Sequence, residues 1–244
     1  AETFNIPVVE TIAGRSAMLH DHPYNAGPLG VIGSSSANML AEEADVVLAI
    51  GTRLQDFTTG SWSVFGNEQM RLISINAARY DAHKHRALSV VGDALAGIEE
   101  LGQALEGWKA PDPWISKSRS LYAEWNTTVE QHSGPTTDVP PSYAHVIGAV
   151  NRVCDETDLA LTAAGGFPGE LCKNWKTKSS GTFDCEFGFS CMGYEIAGGW
   201  GAKMADPDRD VIVFVGDGSY MMMNSDIYSS VLTGHKLIVV VCDN

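Results

Sequence analysis

Short, continuously apolar runs alternate along this chain with stretches in which apolar residues return every three or four positions. These are the rhythms of strands buried on both faces and of the helices that cover them. Ile6 to Thr11 reads as a first strand. An alanine-rich helix from Ser35 to Ala44 leads into the strand Asp45 to Gly51. Strands follow at Arg71 to Asn76 and Ala87 to Val91, and then a helix that sets Leu95, Ile98, Leu101 and Leu105 on one face. The rhythm breaks between Gly107 and Pro141: Pro111 and Pro113 open the stretch, a polar helix runs from Trp114 to Gln131, and turn formers from Gly134 to Pro141 close it. A second series begins with Ser142 as the N-cap of a helix carrying Val146, Ile147, Val150 and Val153, followed by the strand Leu159 to Ala163. It continues through a helix of small residues from Gly193 to Ala205, the strand Val211 to Val215, a helix from Ser225 to Leu232 and the strand Leu237 to Val241.

Alternation of this kind requires parallel strands joined by crossover helices. The expected fold class is α/β with two parallel-sheet domains, residues 1–106 and 142–244, joined by a connection at 107–141. At roughly 150 residues per domain, the 244 residues have room for two modest domains. The chain opens inside one strand pattern and stops directly after another, so it reads as part of a longer protein, truncated at both ends.

Composition narrows the function classes. With 44% hydrophobic and 19% charged residues the chain can bury enough apolar surface to offset its ordering entropy, which excludes general disorder. No apolar run approaches the roughly 20 residues of a membrane-spanning helix, so a soluble protein is expected. Sixteen Lys and Arg against thirty Asp and Glu give a net charge of -14, the wrong sign for tracking phosphates along a nucleic acid. Small anions are still admissible, because backbone amides, helix N-termini and a bound cation act locally. The five cysteines (154, 172, 185, 191 and 242) have neither CxxC spacing nor an even count, which argues against a disulfide framework or structural zinc. With no basic n-region or apolar h-region at the N-terminus, a cytoplasmic location is the default expectation.

The richest stretch is the last strand–helix–strand unit. Val211 to Val215 runs straight into Gly216-Asp217-Gly218-Ser219, which implies a tight turn at the C-terminal edge of a strand, where open α/β sheets bind ligands. One crossover later the next strand ends in Cys242-Asp243-Asn244, with Asn244 lying 27 positions after Asp217. A carboxylate and an amide oxygen at matching strand edges suit a hard divalent cation such as Mg²⁺, which in turn suits a diphosphate. Taken alone, GDGS reads first as a β-turn and helix N-cap in which Asp217 and Ser219 satisfy backbone amides, and it is the Asn at the matching strand edge that favours the metal site. Ala163-Ala164-Gly165-Gly166-Phe167-Pro168-Gly169 is a second glycine-rich strand end able to offer backbone amides to phosphates, or to be an ordinary turn.

These residues resemble the fingerprint of the thiamine-diphosphate-dependent enzymes, GDG followed by about 25 to 30 residues and an Asn pair. The resemblance implies thiamine diphosphate and Mg²⁺ as cofactors, with Asp217 and Asn244 as metal ligands. It implies diphosphate contacts from Gly165, Gly166 and Phe167 and from Gly216, Gly218 and Ser219. Ser190-Cys191-Met192-Gly193-Tyr194 is similar to the family segment that faces the aminopyrimidine ring, which implicates Cys191, Met192 and Gly193. Asp243 stands where the first Asn of the pair is usual, and Ile196-Ala197 stands where Leu-Pro is common. Phe187 to Gly199, Gly216 to Ser225 and Gln55 to Trp62 are similar to the branch that hydrolyses trihydroxycyclohexane-1,2-dione in inositol catabolism. For the intact protein this implies ring opening of a cyclic diketone to 5-deoxyglucuronate by a homodimer or homotetramer. The family's catalytic Glu belongs to a separate pyrimidine-binding domain and its third metal ligand follows the Asn. No catalytic residue is therefore assigned, and the segment alone is expected to be inactive.

Other features read as structural. Gly30-Val31-Ile32-Gly33 is too short for a dinucleotide fingerprint and no acid follows at the expected strand end. His20, His22, His83 and His85 lack a third nearby ligand and read as solvated. Met221 to Met223 read as packing against the sheet. Two alternatives stand beside the ring hydrolase. One is an acetolactate-synthase-like carboligase or 2-oxoacid decarboxylase with the same cofactor. The other is a non-catalytic nucleotide-binding module in which GDGS is merely a turn.

Overall fold

The structure, a computed structural model, describes residues 1–243. It divides into two compact units, Ala1–Thr11 with Pro23–Trp125, and Ile12–His22 with Asn126–Asn244. In the first unit the strands β1 (Val8–Glu10) and β2 (Asn25–Pro28) form a parallel pair. Helix α1 (Ser35–Glu43) starts where the Ser34 hydroxyl accepts the Ala37 N–H, and β3 (Val46–Ile50) follows. After the short helix α2 (Asp56–Thr59) come β4 (Arg71–Asn76), α3 (Arg79–Ala82), β5 (Leu88–Val91) and α4 (Ala94–Ala104). Strands β3, β4 and β5 form a parallel sheet in that order.

One expectation for this unit needs correction. Leu95 and Ile98 of α4 are exposed, and no residue of the helix is fully buried. The helix meets β4 through Gly97 instead, whose missing Cβ would lie 2.8 Å from Ile75 Cγ2, so the contact follows the smallest residue rather than the leucine stripe. His83 and His85 are exposed, as expected, and meet the backbone carbonyls of Arg79 (2.8 Å) and Leu54 (3.1 Å), with the His85 ring stacked on Trp62. The glycine loop before α1 is filled by its own chain: Asn38 donates to the Gly30 carbonyl and accepts from the Gly30 N–H, each at 2.9 Å.

Helix α5 (Asp112–Ser133) contributes its first part to the first unit and Asn126 onward to the second. In the second unit α6 (Tyr143–Val153) opens on a capping box between Ser142 and His145. Then come β6 (Leu159–Thr162), α7 (Phe167–Asn174), β7 (Phe183–Cys185), α8 (Tyr194–Ala205), β8 (Val211–Gly216), α9 (Asp217–Leu232) and β9 (Ile238–Cys242). The strands form a four-stranded parallel sheet in the order β7-β6-β8-β9. Residues Val211 to Val215 are each at most 3% exposed, as expected of a strand covered on both faces. Val211, Val213 and Val215 pack with Leu159 and Ile196 on one face. On the other, the Phe214 ring meets Phe167 and Trp175 edge-on at 5.4 and 5.8 Å.

Two glycines test this packing from opposite sides. Gly148 is buried in α6, and a Cβ there would stand 1.9 Å from the Ser133 carbonyl oxygen, whereas a Cβ on exposed Gly201 of α8 would meet nothing within 4 Å. Gly148→Ala is expected to destabilise the protein by about 1–3 kcal/mol through overpacking. Gly201→Ala is expected to stabilise it by about 0.5–1 kcal/mol through helix propensity. Urea unfolding of both variants against wild type checks the pair.

Candidate functional site

The C-terminal ends of β6, β8 and β9 form one edge of the second unit's sheet. Parallel register pairs Gly216 with Cys242, so the residues that follow, Asp217 and Asp243, leave adjacent strands at the same level. Asn244 lies outside the described residues, and its expected place beside Asp217 belongs to that set.

Helix α9 starts at Asp217 itself, with Gly216 as its N-cap, and kinks at Met223 (φ -130°, ψ 24°). The expected tight turn at GDGS is therefore a strand running directly into a helix; neither Gly216 nor Gly218 has a positive φ. The helix has no side-chain N-cap bond, so Asp217 and Ser219 do not serve as caps. The exposed carboxylate of Asp217 makes no hydrogen bond or ion pair among the described residues. Ser219 is buried at 4% exposure.

Space is left beside this carboxylate. A Cβ on Gly216 or on Gly165 (φ 81°) would meet nothing within 4 Å, while one on Gly166 would touch the Tyr143 ring. Gly166 is the N-cap of α7, whose first-turn amides, like those of α9, have no intrahelical partner. An uncommitted carboxylate, two helix N-termini and open glycines on one sheet edge fit a diphosphate bridged to a hard cation. No cluster of three or more His, Cys, Asp or Glu that could hold a metal is present among the described residues.

The Phe167 side chain does not face this edge. It is 1% exposed and packs edge-on against Tyr143 at 4.8 Å and against Phe214, because α7 needs an apolar anchor on the sheet, so its backbone N–H alone is free for a ligand. On the upstream segment Met192 is 47% exposed, and its Cε lies 3.3 Å from where a Gly218 Cβ would stand, so this side chain reaches the GDG segment. Cys191 is exposed and Gly193 buried. Gly193 has φ 93° and its missing Cβ would lie 2.4 Å from Met223 Cγ; the position demands glycine on both counts. Met223 is half-buried and packs against the sheet core, but Met221 and Met222 are 67% and 59% exposed, contrary to the expectation that all three pack on the sheet.

Three site residues were not singled out in the sequence. Tyr143 brings its hydroxyl to 3.1 Å from the Gly166 Cβ position. Burial, then Cys242 and the Asp217 carboxylate, hold its phenol above the ordinary value of 10.0. Glu186 accepts from the Cys191 N–H (2.9 Å) and the Phe189 N–H (3.0 Å), which ties down the segment leading to Met192. Glu195 is fully buried, accepting from the N–H groups of Ala164 and Gly193 at 2.9 Å each. The signal for Glu195 was an acid inside an otherwise apolar, small-residue helix. Beside it, Tyr194 donates to Asp184 at 2.8 Å, and burial followed by that bond pushes its phenol up to about 12.

Comparison with known proteins now adds to this geometry. Residues 1–101 match the family model described as thiamine pyrophosphate enzyme, central domain, and residues 163–244 match thiamine pyrophosphate enzyme, C-terminal TPP binding domain. The chain belongs to the thiamine pyrophosphate enzymes. Like other members, it uses thiamine diphosphate, with Mg²⁺ as the usual partner metal of the family. It is 39% identical to a Bacillus cereus protein named 3D-(3,5/4)-trihydroxycyclohexane-1,2-dione hydrolase. It is 38% identical to proteins of that name from Bacillus anthracis and Bacillus thuringiensis; each alignment takes in 100% of this chain and 42% of the relative. The chain thus spans about two fifths of the length of the curated relatives it matches. No helix of the described residues is long and apolar enough to cross a membrane.

A pH effect follows from Glu186. The Cys191 N–H foremost, opposed by some burial and helped by Phe189 and Gly188, holds its carboxyl below the ordinary 4.5. A depressed folded-state value means that the bonds to the segment are fully present above about pH 4.5 and are lost as pH falls through the lower, folded value. Amide hydrogen exchange is expected to show protection of Phe189 and Cys191 at neutral pH that disappears at lower pH than in a free carboxylate's titration, and Glu186→Gln, which keeps one acceptor oxygen, is expected to lose the protection of one of the two amides at every pH.

Proposed function

We propose that the complete protein is a thiamine-diphosphate-dependent carbon–carbon hydrolase. Its substrate on this reading is 3D-(3,5/4)-trihydroxycyclohexane-1,2-dione, a small cyclic 1,2-diketone, which it opens to 5-deoxy-D-glucuronate in inositol catabolism. The observation that carries the cofactor role of this edge is the Asp217 carboxylate, left uncommitted beside open glycines and two helix N-termini. The choice of branch is supported by the names of relatives that align with all of the chain. The family assignment leaves the nucleotide-module reading without support.

In this reading residues 1–106 are the central domain, 107–141 the connection and 142–244 the diphosphate-binding domain. Asp217, together with Asn244, holds Mg²⁺. The backbone amides of Gly165, Gly166 and Phe167 and those of Gly218 and Ser219 receive the diphosphate oxygens, and Gly216 leaves room for their approach. Cys191, Met192 and Gly193 line the pyrimidine end, Met192 as an apolar support. Thiamine diphosphate, when bound, supplies an electron sink for the carbon released as the bond between the two carbonyls is cut. This part of the chain holds and orients that group, with the metal offsetting the diphosphate charge that a protein of net charge -14 would otherwise repel. Water supplies the atoms that leave one carbonyl carbon as a carboxylate and the other as an aldehyde. A cytoplasmic homodimer or homotetramer completes the proposal.

The test uses the complete gene product with the trihydroxycyclohexanedione and, separately, pyruvate, with and without thiamine diphosphate and Mg²⁺. Ring opening is expected only with both cofactors, to stop on chelation and return with Mg²⁺. Loss of a direct metal ligand in Asp217→Ala is expected to reduce it by about 100-fold or more. Pyruvate consumption without ring opening would replace the hydrolase by a carboligase or decarboxylase. Undiminished activity in Asp217→Ala would remove the metal site from this edge.

A further inference from the structure

The side chain of Glu195 is 0% exposed and meets no Lys, Arg or His among the described residues. A buried carboxylate without a cation is costly unless strong hydrogen bonds replace its water. Here both oxygens are used: Oε1 accepts the Ala164 N–H and Oε2 the Gly193 N–H, each at 2.9 Å. These two amides belong to segments far apart in the chain. Ala164 directly precedes Gly165-Gly166 and the N-terminus of α7; Gly193 directly follows Met192 and caps α8 in a positive-φ conformation. A single carboxylate thus joins the end of β6 to the segment that carries Met192.

We propose that Glu195 is a positioning residue that sets the spacing between the diphosphate turn at Gly165-Gly166 and the pyrimidine-facing segment at Met192-Gly193, and so holds open a site matched to the length of a bent cofactor. This rests on the cofactor reading given above. Only a carboxylate of this length fits the role. Glutamine offers one acceptor oxygen and turns an NH₂ group against the other N–H, leaving a buried amide unpaired. Aspartate keeps the charge but shortens the reach. A ligand that touches one segment alone is indifferent to the spacing, whereas a ligand that spans both depends on it.

The experiment compares two probes on the complete enzyme, thiamine diphosphate and inorganic diphosphate, each with Mg²⁺, by calorimetric titration of wild type, Glu195→Gln and Glu195→Asp. Gly148→Ala, a buried substitution away from the edge, serves as a stability control. The expected result is unequal loss: Kd for thiamine diphosphate rises about tenfold or more in Glu195→Gln, while Kd for inorganic diphosphate rises less than about threefold and the Gly148 variant changes neither. Should the Gln variant not fold, Glu195→Asp is expected to show the same inequality. Equal losses for the two probes, no loss, or failure of both variants to fold would reduce Glu195 to a purely structural carboxylate and overturn the proposal. Wild-type protein that binds neither probe would overturn the cofactor reading and this proposal with it. Wild-type binding with an indifferent Glu195→Gln would overturn this proposal alone.

Discussion

The C-terminal unit depends on one constraint, the burial of Val211 to Val215 in β8. These residues are shielded from water on both faces, and apolar burial of this kind stabilises at about 25 cal/mol per Å². A strand in that position must have neighbours on both sides, here β6 and β9, and parallel pairing demands that helices cross over the faces. Once those helices are in place, every crossover begins at the same end of the sheet. The chemistry at Gly165, Gly166 and Asp217 collects at one edge as a consequence of core packing.

Polar groups at that edge divide into committed and uncommitted ones, and the division carries the functional argument. Glu195 and Glu186 spend both carboxylate oxygens on backbone amides and so define the shape of two segments. Asp217 spends neither on a described residue, and Gly216 and Gly165 leave open space where side chains would stand. A carboxylate without a partner repels a diphosphate by itself; a divalent cation between the two reverses the sign of that interaction. The same cation reconciles a chain of net charge -14 with an anionic cofactor, since local amides and one metal ion act at contact distance while the distributed surface charge is screened over about 8–10 Å.

Most strands were legible because a doubly covered strand is a continuous apolar run. Arg71 to Asn76 was read to the residue, and Val211 to Val215 differs from β8 only by Gly216. Ser142 was legible as an N-cap because its side chain answers a local need of the first turn, as its bond to His145 shows. Local chemistry misled at three places. The leucine stripe of α4 is not its buried face, because close approach favoured Gly97 over larger side chains. Gly216 to Ser219 carried the composition of a turn, yet the backbone continues from strand to helix with no positive φ. Met221 to Met223 form one apolar triplet in sequence, but only the third packs against the core.

By itself the sequence determined the α/β class, the parallel alternation and the strand ends at which ligand chemistry collects, all of which follow from local periodicity or from residues near one another in the chain. The cofactor class came from the resemblance of the GDG segment and its surroundings to a known family. Tertiary structure decided which polar groups are left over. Nothing in the order of residues says that Glu195 reaches back to Ala164, that Tyr143 stands beside Gly166, or that Phe167 turns into the core while its N–H stays at the edge. Those outcomes depend on which atoms compete for the same hydrogen bonds and the same volume once the sheet has closed, and that competition exists only between segments that folding brings together.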